Sequence, residues 1–437
     1  LLALALVGLE WLALGRLSGI SWPHAAAPAW PPASWALHVL VGAFLVGLAQ
    51  LLLAALGIGF GSVAVVLLAA ALMGALIRKT QLPHLAPSKR HIPQDRRERA
   101  AWLVLAALLL AAGVRSLIVP EAGWDAYSHW GLKARAFALA GQIVDAGTVH
   151  EYYPPLVPLL EAWLYLHRGS TSIDLAKTVW SLFGAAFAVC LTWHLRLALA
   201  TPWLAPLMGT LIVLAVPQLL ESFWTGQADL ALTAYLTLAT LALWQWQWRW
   251  RRGVTNSRGW LAQAALFAAA AALTKYEGLP RLAVLAVAVL LARQPTGLVT
   301  AVAGGVAYAL WLVYRLQHGI QASGEHLSHF QPQAIGATLV TTAAVLGGIR
   351  TGGGVLVAVC AWAVNIRRVF EPRVRLLTVV VLGQLLATLL AFLVSETPPE
   401  LQARTSATRL FQHFMPLALF VAALWLAELR PIIRRER

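Results

Sequence analysis

Long uncharged apolar runs alternate with short polar tracts along the whole chain. A helix needs about 20 mostly apolar residues to cross the hydrocarbon core of a bilayer. The pattern therefore predicts an all-α integral membrane protein, a polytopic helical bundle of about ten to thirteen transmembrane helices. The runs that carry this prediction are residues 1–17, 35–55, 60–77, 102–119, 175–195, 203–220, 230–248, 260–274, 279–292, 297–315, 352–366, 375–394 and 411–428.

Two further apolar segments are harder to interpret. Residues 156–166 are too few to span the membrane comfortably, and residues 333–350 are similar. Each is either a partly inserted segment or a short span, and the sequence leaves that choice open. No basic stretch with a small-residue cleavage site precedes the first run, so we expect no cleaved signal peptide.

Composition agrees with a membrane protein. The chain is 59% hydrophobic and 12% charged, whereas a soluble domain is about 45–50% apolar and about 25% charged. The net charge of +15 comes from basic tracts between the apolar runs. That placement is typical of cytoplasmic loops and argues against nucleic acid as a partner. The tracts that we assign to the cytoplasm are residues 78–99, 249–258, 367–375 and 430–437.

These tracts divide the chain into three regions. Residues 1–99 hold N-terminal transmembrane helices and a basic cytoplasmic loop, and residues 321–437 hold C-terminal transmembrane helices. Between them, residues 100–320 form a transmembrane module with a large outer loop at 120–153. Most acidic residues fall on the outer side of this topology. Asp229 and Glu277 stand out, because each lies at the edge of an apolar run, where a charge is costly unless it faces a cavity or a partner.

The outer loop is the densest polar segment. If residues 124–140 are helical, Asp125, His129 and Lys133 share one face, since they recur at intervals of four. Apolar side chains of the same helix favour an amphipathic juxtamembrane helix. A carboxylate beside an imidazole could perform acid–base chemistry, and an ordinary ion pair on a surface helix explains the spacing equally well. His413 belongs to no constellation visible in the sequence.

The positions of tryptophan and cysteine give less information about function than the outer loop does. Trp244, Trp246, Trp248 and Trp250 alternate along one segment, which is typical of an aromatic belt at the cytoplasmic interface. The only two cysteines, Cys190 and Cys360, lie inside apolar runs, so we expect packing roles and no disulfide.

Four short segments and one arginine remain to be interpreted: WDAYSHW at 124–130, YPPLVPLL at 153–160, GQADLAL at 226–232, LTKYEGL at 273–279, and Arg409 ahead of the last apolar run. Together they resemble GT-C-type membrane glycosyltransferases, the polyprenyl-phosphate-sugar-dependent enzymes related to protein O-mannosyltransferases and the aminoarabinose transferase of lipid A. Residues 124–130 (WDAYSHW) and 153–160 (YPPLVPLL) resemble the first outer loop of that superfamily. Residues 226–232 (GQADLAL) resemble its second acidic site, and residues 273–279 (LTKYEGL) its Thr-Lys-x-Glu-Gly segment. Arg409 resembles the final outer-loop arginine ahead of the last helix.

The resemblance implies an inverting transfer of a sugar from a polyprenyl phosphate to a glycan, lipid or protein acceptor, at an extracytoplasmic site of the plasma (inner) membrane. Asp125 would be the base, and Arg409 and then Lys275 would bind the donor phosphate. The residues that would contact sugar or acceptor are Asp229, Glu277, His129, Trp124, Tyr152 and Tyr153.

The chain also departs from the superfamily. Many members carry an acidic pair in the first loop, whereas Asp125 is followed by Ala126. No residue set has recognisable metal-ligand spacing, so no cofactor is predicted, and dependence on a divalent metal stays open. Two alternatives remain, a lipid or solute transporter or flippase and a polymerase or ligase of the O-antigen kind. The latter would use an outer loop rich in histidine such as residues 317–333.

Overall fold

The computed structural model describes residues 2–18, 31–62, 64–67, 69–70, 95–121, 123–148, 150–172, 176–254, 257–320, 330–348, 353–395 and 397–428. Regular structure in these ranges is entirely helical, which confirms the predicted all-α class. The α-helices are α1 Leu2–Leu17, α2 Pro31–Ala55, α3 Arg96–Ile118, α4 Leu132–Ala140, α5 Leu156–Arg168, α6 Thr178–Ala198, α7 Leu204–Ala215, α8 Pro217–Glu221, α9 Ala228–Arg251, α10 Arg258–Thr274, α11 Gly278–Leu291, α12 Val299–Gln317, α13 Ile335–Gly347, α14 Gly353–Val364, α15 Arg375–Leu393, α16 Pro399–Gln412 and α17 Met415–Glu428.

Five of these helical segments are long and apolar enough to cross a membrane. They are α2, α3, α6, α12 with the turn before it, and α15. The pair α16 and α17 qualifies as a sixth if it is counted as one span bent by 53°. The chain thus has the helices of a multi-pass membrane protein. The total of ten to thirteen spans stays a prediction, because α7, α11, α13 and α14 are apolar but shorter.

The two segments that the sequence left open are short helices. α5 has 13 residues and is buried along most of its length, where it packs against α1, α2 and α4. α13 also has 13 residues and packs against α16. Neither reaches the length of a span on its own.

α9 is the central helix of the bundle. Every residue from Ala228 to Gln247 is buried, and the helix contacts α6, α10, α11, α15 and α16. Its 24 residues correspond to about 36 Å. Asp229 stands in its first turn and Arg251 in its last, so this one helix connects two chemically different ends of the bundle.

Close helix packing at α1 and α2 depends on glycine. A Cβ atom built on Gly42 would lie 1.9 Å from the carbonyl oxygen of Trp11, and one built on Gly15 would lie 1.8 Å from that of His38. Small residues at such crossings let backbones approach closely, which is the usual source of helix association in a bilayer. Replacing either glycine would force the two helices apart.

Basic residues converge at the end of the bundle where α9 stops, which we call the basic end. Arg196 pairs with Glu98 at 2.8 Å, and Arg373 donates to the carbonyl of Ala198 at 2.9 Å. Arg251 donates to the carbonyl of Pro372 at 3.2 Å. The described parts of three tracts that the sequence assigns to one side of the membrane thus lie together. The fourth tract, residues 430–437, lies outside the described residues.

Candidate active site

Asp125 and Arg409 form an ion pair at the opposite end of the bundle from the basic end. The guanidinium Nη1 of Arg409 donates to Oδ2 of Asp125, although the two residues are 284 positions apart in sequence. Both side chains are partly exposed, at 26% for Asp125 and 25% for Arg409. The predicted base and the predicted phosphate ligand are therefore in direct contact and accessible.

A second cluster lies deeper beside this pair. Asp229 Oδ1 accepts a hydrogen bond from Lys275 Nζ at 3.0 Å and is 2.8 Å from Nε2 of His413. Lys275 Nζ is also 3.0 Å from Oε1 of Glu277. Asp229 and Lys275 are only 1% and 5% exposed, whereas Glu277 is 27% exposed. Arg409 lies within electrostatic range of Asp229 and Glu277 as well as of Asp125. The outer ion pair and the deeper cluster therefore form one network.

Local backbone structure positions Lys275 and Glu277. α10 ends at Thr274, Lys275 is extended with φ −156° and ψ 153°, and α11 begins at Gly278. A Cβ atom at Gly278 would lie 2.5 Å from the carbonyl oxygen of Ala271, so only glycine allows this tight reversal. The break directs the lysine and the glutamate toward the start of α9.

The bend between α16 and α17 positions Arg409 and His413. Pro416 lacks the amide hydrogen that a continuous helix would donate to Gln412, and its ring would clash there. The helix consequently stops at Gln412 and restarts at Met415. Arg409 lies in the last turn of α16 and His413 in the junction, which brings one side chain to Asp125 and the other to Asp229.

The loop helix differs from the expected one. Residues 124–140 are helical, but Ala126–Gly131 form a π-helix ahead of α4. The expectation that Asp125, His129 and Lys133 share one face assumed regular α-helical spacing, and the π-turn alters that spacing because it inserts extra backbone. Asp125, His129 and Lys133 nonetheless stay within electrostatic range of one another. Single π-turns of this kind are frequently found at functional sites.

His129 and Lys133 contact the end of the same loop. The ring of His129 lies 4.8 Å from that of His150, and Nζ of Lys133 donates to the carbonyl of His150. Glu151 lies 4.0 Å from Lys133. Burial lowers the pKa of His129, and burial lowers the pKa of Lys133 to about 8. His129 is accordingly neutral at pH 7.

Aromatic rings line the approach to Glu277. The ring of Tyr153 stacks on those of His150 at 4.8 Å and Tyr276 at 6.3 Å. Tyr152 is buried, and its ring meets that of Tyr276 edge-on at 5.9 Å. Burial, reinforced by the charge of Glu277, raises the pKa of Tyr153 well above its ordinary value. Tyr153 is therefore a hydrogen-bond donor at any physiological pH.

Trp124 stands apart from the other predicted residues. Its side chain is 77% exposed, and among the described residues its indole ring has no ring contact or hydrogen bond. The structure thus brings together Asp125, Arg409, Asp229, Lys275, Glu277, His129, Tyr152 and Tyr153, and leaves Trp124 at the rim.

Sequence reasoning missed two members of the network. His413 was set aside, and that interpretation was wrong, because its Nε2 lies 2.8 Å from Asp229. Arg281 is buried in α11 and donates to Gln384 at 2.8 Å and to the carbonyl of Leu410 at 3.3 Å. A single arginine in an apolar run is a signal that could have identified Arg281, since such charges need partners inside a membrane.

Several polar atoms in the network are buried without a described partner. They include Oδ2 of Asp229, Oε2 of Glu277, Nε of Arg409 and Nδ1 of His413. Buried polar atoms are normally hydrogen-bonded, so these four atoms have capacity for a further partner. Among the described residues, no group of three or more His, Cys, Asp or Glu side chains could hold a metal ion.

Comparison with known proteins identified no relative. No protein-family model, no curated protein sequence and no solved structure matches the chain.

Proposed function

We propose that this chain is a GT-C-type membrane glycosyltransferase that moves a sugar from a polyprenyl phosphate to an acceptor and inverts the anomeric centre. The observation that carries the proposal is the accessible Asp125–Arg409 pair beside the Asp229–Lys275–Glu277 cluster. Sugar transfer from a lipid phosphate requires a base and a phosphate-binding cation within one site. This pair supplies both.

Arg409 is the proposed ligand of the donor phosphate. Its planar guanidinium matches the geometry of phosphate oxygens and stays charged at any physiological pH. An incoming phosphate would compete with Asp125 for the guanidinium. Donor binding would thereby release the carboxylate and make it available as a base.

Asp125 would then take the proton of the acceptor hydroxyl or amine as that group attacks the anomeric carbon. The bond between this carbon and the phosphate oxygen breaks, and its electron pair leaves with the phosphate. A polyprenyl phosphate is stable as an anion, so the leaving group needs cations rather than a proton donor. A positioned general base typically contributes about 10²–10⁴ in rate.

The inner cluster would hold these groups in place. Lys275 lies between Asp229 and Glu277 at 3.0 Å from each, so its charge is already shared, and we assign it the secondary role at the phosphate. Glu277 is the more exposed carboxylate, with one oxygen free of described partners. We propose that it accepts a hydrogen bond from a sugar hydroxyl, with Asp229, His129, Tyr152 and Tyr153 shaping the pocket and Trp124 at its rim.

The transporter and the polymerase or ligase are weaker candidates. A transporter needs polar groups at mid-membrane depth. Arg281 does meet Gln384 near the middle of α15, but Asp125, Arg409 and the Asp229–Lys275–Glu277 cluster gather near the start of α9. The histidine-rich segment that would favour a polymerase falls mostly at 321–329, outside the described residues.

We further propose that the site faces the extracytoplasmic side of a plasma (inner) membrane and that a glycan, lipid or protein is the acceptor.

The test is turnover by the purified protein in proteoliposomes with a panel of polyprenyl-phosphate sugars and candidate acceptors. Transfer predicts that free polyprenyl phosphate accumulates together with a glycosylated acceptor. Donor that crosses the bilayer chemically unchanged would reject the proposal and favour a flippase.

A further inference from the structure

The last turns of α9 carry a tryptophan pattern that the proposed function leaves unexplained. Tryptophan occupies every second position from 244 to 250. Residues four apart on an α-helix share a face, so Trp246 and Trp250 lie on one side of α9. Their rings stack with the centroids 6.3 Å apart, and Trp250 is 57% exposed. This pair forms one wall of a trough at the basic end.

The trough lies between the end of α9, the start of α10 and the turn that leads into α12, and its volume is about 690 Å³. Small-molecule sites typically measure about 300–1,000 Å³. Further along, α10 and α12 pack closely, since a Cβ atom built on Gly304 would lie 3.2 Å from the carbonyl oxygen of Ala268. Ahead of that crossing, the small side chains of Ala262 and Ala265 leave the space open.

One end of the trough is polar and the rest of its α10 wall is apolar. Four lining residues of α10 share one face, because they recur at intervals of three and four: Arg258, Leu261, Ala262 and Ala265. They extend about 10 Å along the helix at 1.5 Å per residue. Arg258 and the neighbouring Ser257 form the polar end. A ligand with a polar head and an elongated apolar chain matches this arrangement.

The N-terminus of α10 opens into the polar end. Ser257 is the N-cap residue, but its side chain makes no capping hydrogen bond, so the first backbone N–H groups of α10 lack a side-chain acceptor. Ser257 is only 4% exposed and lines the trough, and its hydroxyl has no hydrogen-bond partner in the described part of the chain. A helix N-terminus attracts anions through its unpaired N–H groups and its dipole. An anionic oxygen would therefore satisfy both the hydroxyl and the helix end.

The charge of the segments around the trough favours an anion. Residues 230–276 contain no aspartate or glutamate, and residues 278–324 contain none either, whereas residues 249–258 include four arginines. α12 with the turn before it is long enough to cross a membrane, and the trough lies where that segment begins. This is the depth of lipid headgroups, a layer that tryptophan and arginine favour and where anionic lipids attract basic segments.

We propose that this trough binds one anionic phospholipid. The lipid phosphate lies at the N-terminus of α10, where the hydroxyl of Ser257 and the guanidinium of Arg258 donate hydrogen bonds to it. One acyl chain follows α10 past Ala262 and Ala265. The trough is separated from Asp229 by nearly the full length of α9, about 30 Å at 1.5 Å per residue. Lipid binding is therefore independent of the proposed transferase activity and can be measured without a sugar donor.

The test is thermal unfolding of the detergent-purified full chain with three probes: short-chain phosphatidylglycerol, short-chain phosphatidylcholine and inorganic phosphate. Phosphatidylglycerol should raise Tm at concentrations where the other two do not, because it binds the folded state. Arg258→Gln should weaken the apparent affinity about fivefold, which corresponds to about 1 kcal/mol for one basic residue near an anionic surface. Ala262→Trp fills the apolar part of the trough from an exposed position and should abolish the response.

Two matched controls lie outside the trough. Arg367→Gln removes an exposed arginine of another basic tract, and Ala283→Trp adds the same ring at an exposed position of α11. Both should leave the response to phosphatidylglycerol unchanged, and every variant should keep the Tm of the wild type without lipid. Equal weakening by Arg367→Gln would overturn the headgroup site and indicate general surface attraction, and a full response of Ala262→Trp would overturn the path of the acyl chain. No rise in Tm with phosphatidylglycerol, or an equal rise with phosphatidylcholine or inorganic phosphate, would overturn the assignment of an anionic lipid.

Discussion

At the scale of single residues, the proposed sugar transfer requires Asp125 and Arg409 side by side. Short motifs singled out both residues as candidates, but their contact could not be anticipated, because 284 positions separate them. The same holds for His413, whose partner Asp229 is 184 positions away. Sequence motifs identify a charged residue that needs a partner, and only the packing of helices determines which partner it finds.

Replacing Arg409 by lysine tests the phosphate-binding role. The charge is kept, but the two-pronged geometry that suits phosphate oxygens is lost. A hydrogen bond to a charged group contributes about 1.5–3 kcal/mol, so KM for the donor should rise by about tenfold to a hundredfold. Steady-state kinetics against donor concentration measure this.

Arg404→Lys is the control for that change, since Arg404 is an exposed arginine of the same helix. It should leave KM for the donor unaltered. If both variants behave like the wild type, Arg409 does not bind the phosphate.

The pKa of Lys133 predicts how the stability of the folded protein depends on pH. Burial lowers its pKa from 10.5 to about 8, which corresponds to about 3 kcal/mol of cost for holding the charge in the folded protein. Between pH 8 and 10.5 the folded state releases this proton while the unfolded state keeps it. The unfolded state then binds more protons, so this residue makes stability rise with pH across that window.

Lys133→Met removes the proton linkage and should also remove that rise. The measurement is Tm of the wild type minus Tm of the variant from pH 7 to 10. We expect the difference to move in favour of the wild type as the pH increases. A difference that stays constant would show that Lys133 titrates at its ordinary pKa.

At the scale of elements, apolar runs predicted most helices closely. The run at 230–248 became Ala228–Arg251 and the run at 375–394 became Arg375–Leu393. Irregular backbone was harder to anticipate. The π-helix Ala126–Gly131 has no sequence signature, whereas Pro416 is a helix breaker that could have predicted the bend after α16.

The length of the π-helix should determine where Asp125 lies relative to Arg409. A π-turn contains one residue more than an α-turn would need, so deleting Ser128 should convert it to an α-turn and rotate Asp125 away from Arg409. The deletion should reduce sugar transfer by about a hundredfold or more, the size of a lost general base. The bundle should stay folded, because α4 keeps its own packing.

Ser128→Ala serves as the control, since it keeps the length of the turn and removes only a hydroxyl that bonds to the carbonyl of Trp124. Activity of the alanine variant should be close to that of the wild type. Full activity in the deletion variant would mean that the π-helix does not position Asp125.

At the scale of the whole molecule, charge separates the two ends. The basic end carries arginine from several loops, and the other end carries the mixed network of acids and bases. The sequence predicted this separation through the positions of its basic tracts. It also predicted packing roles for both cysteines. Cys190 is buried inside the bundle, whereas the side chain of Cys360 is exposed and does not pack in its interior.

Cysteine labelling tests the orientation of these ends. In a Cys360→Ala background, the buried Cys190 should not react with a membrane-impermeant maleimide. A cysteine at Ala140, in the predicted outer loop, should be labelled from outside intact cells. A cysteine at Arg258 should be labelled only after permeabilisation, and the reverse pattern would place the site in the cytoplasm.

The most direct test of the account is single-turnover sugar transfer by Asp125→Asn. Asparagine keeps the size of the side chain and removes its ability to take a proton, so Tm should be preserved while the rate falls by about a hundredfold or more. Asp145→Asn, which alters an exposed carboxylate of the same loop, should transfer sugar at the wild-type rate. Wild-type turnover by Asp125→Asn would contradict the assignment of Asp125 as the base.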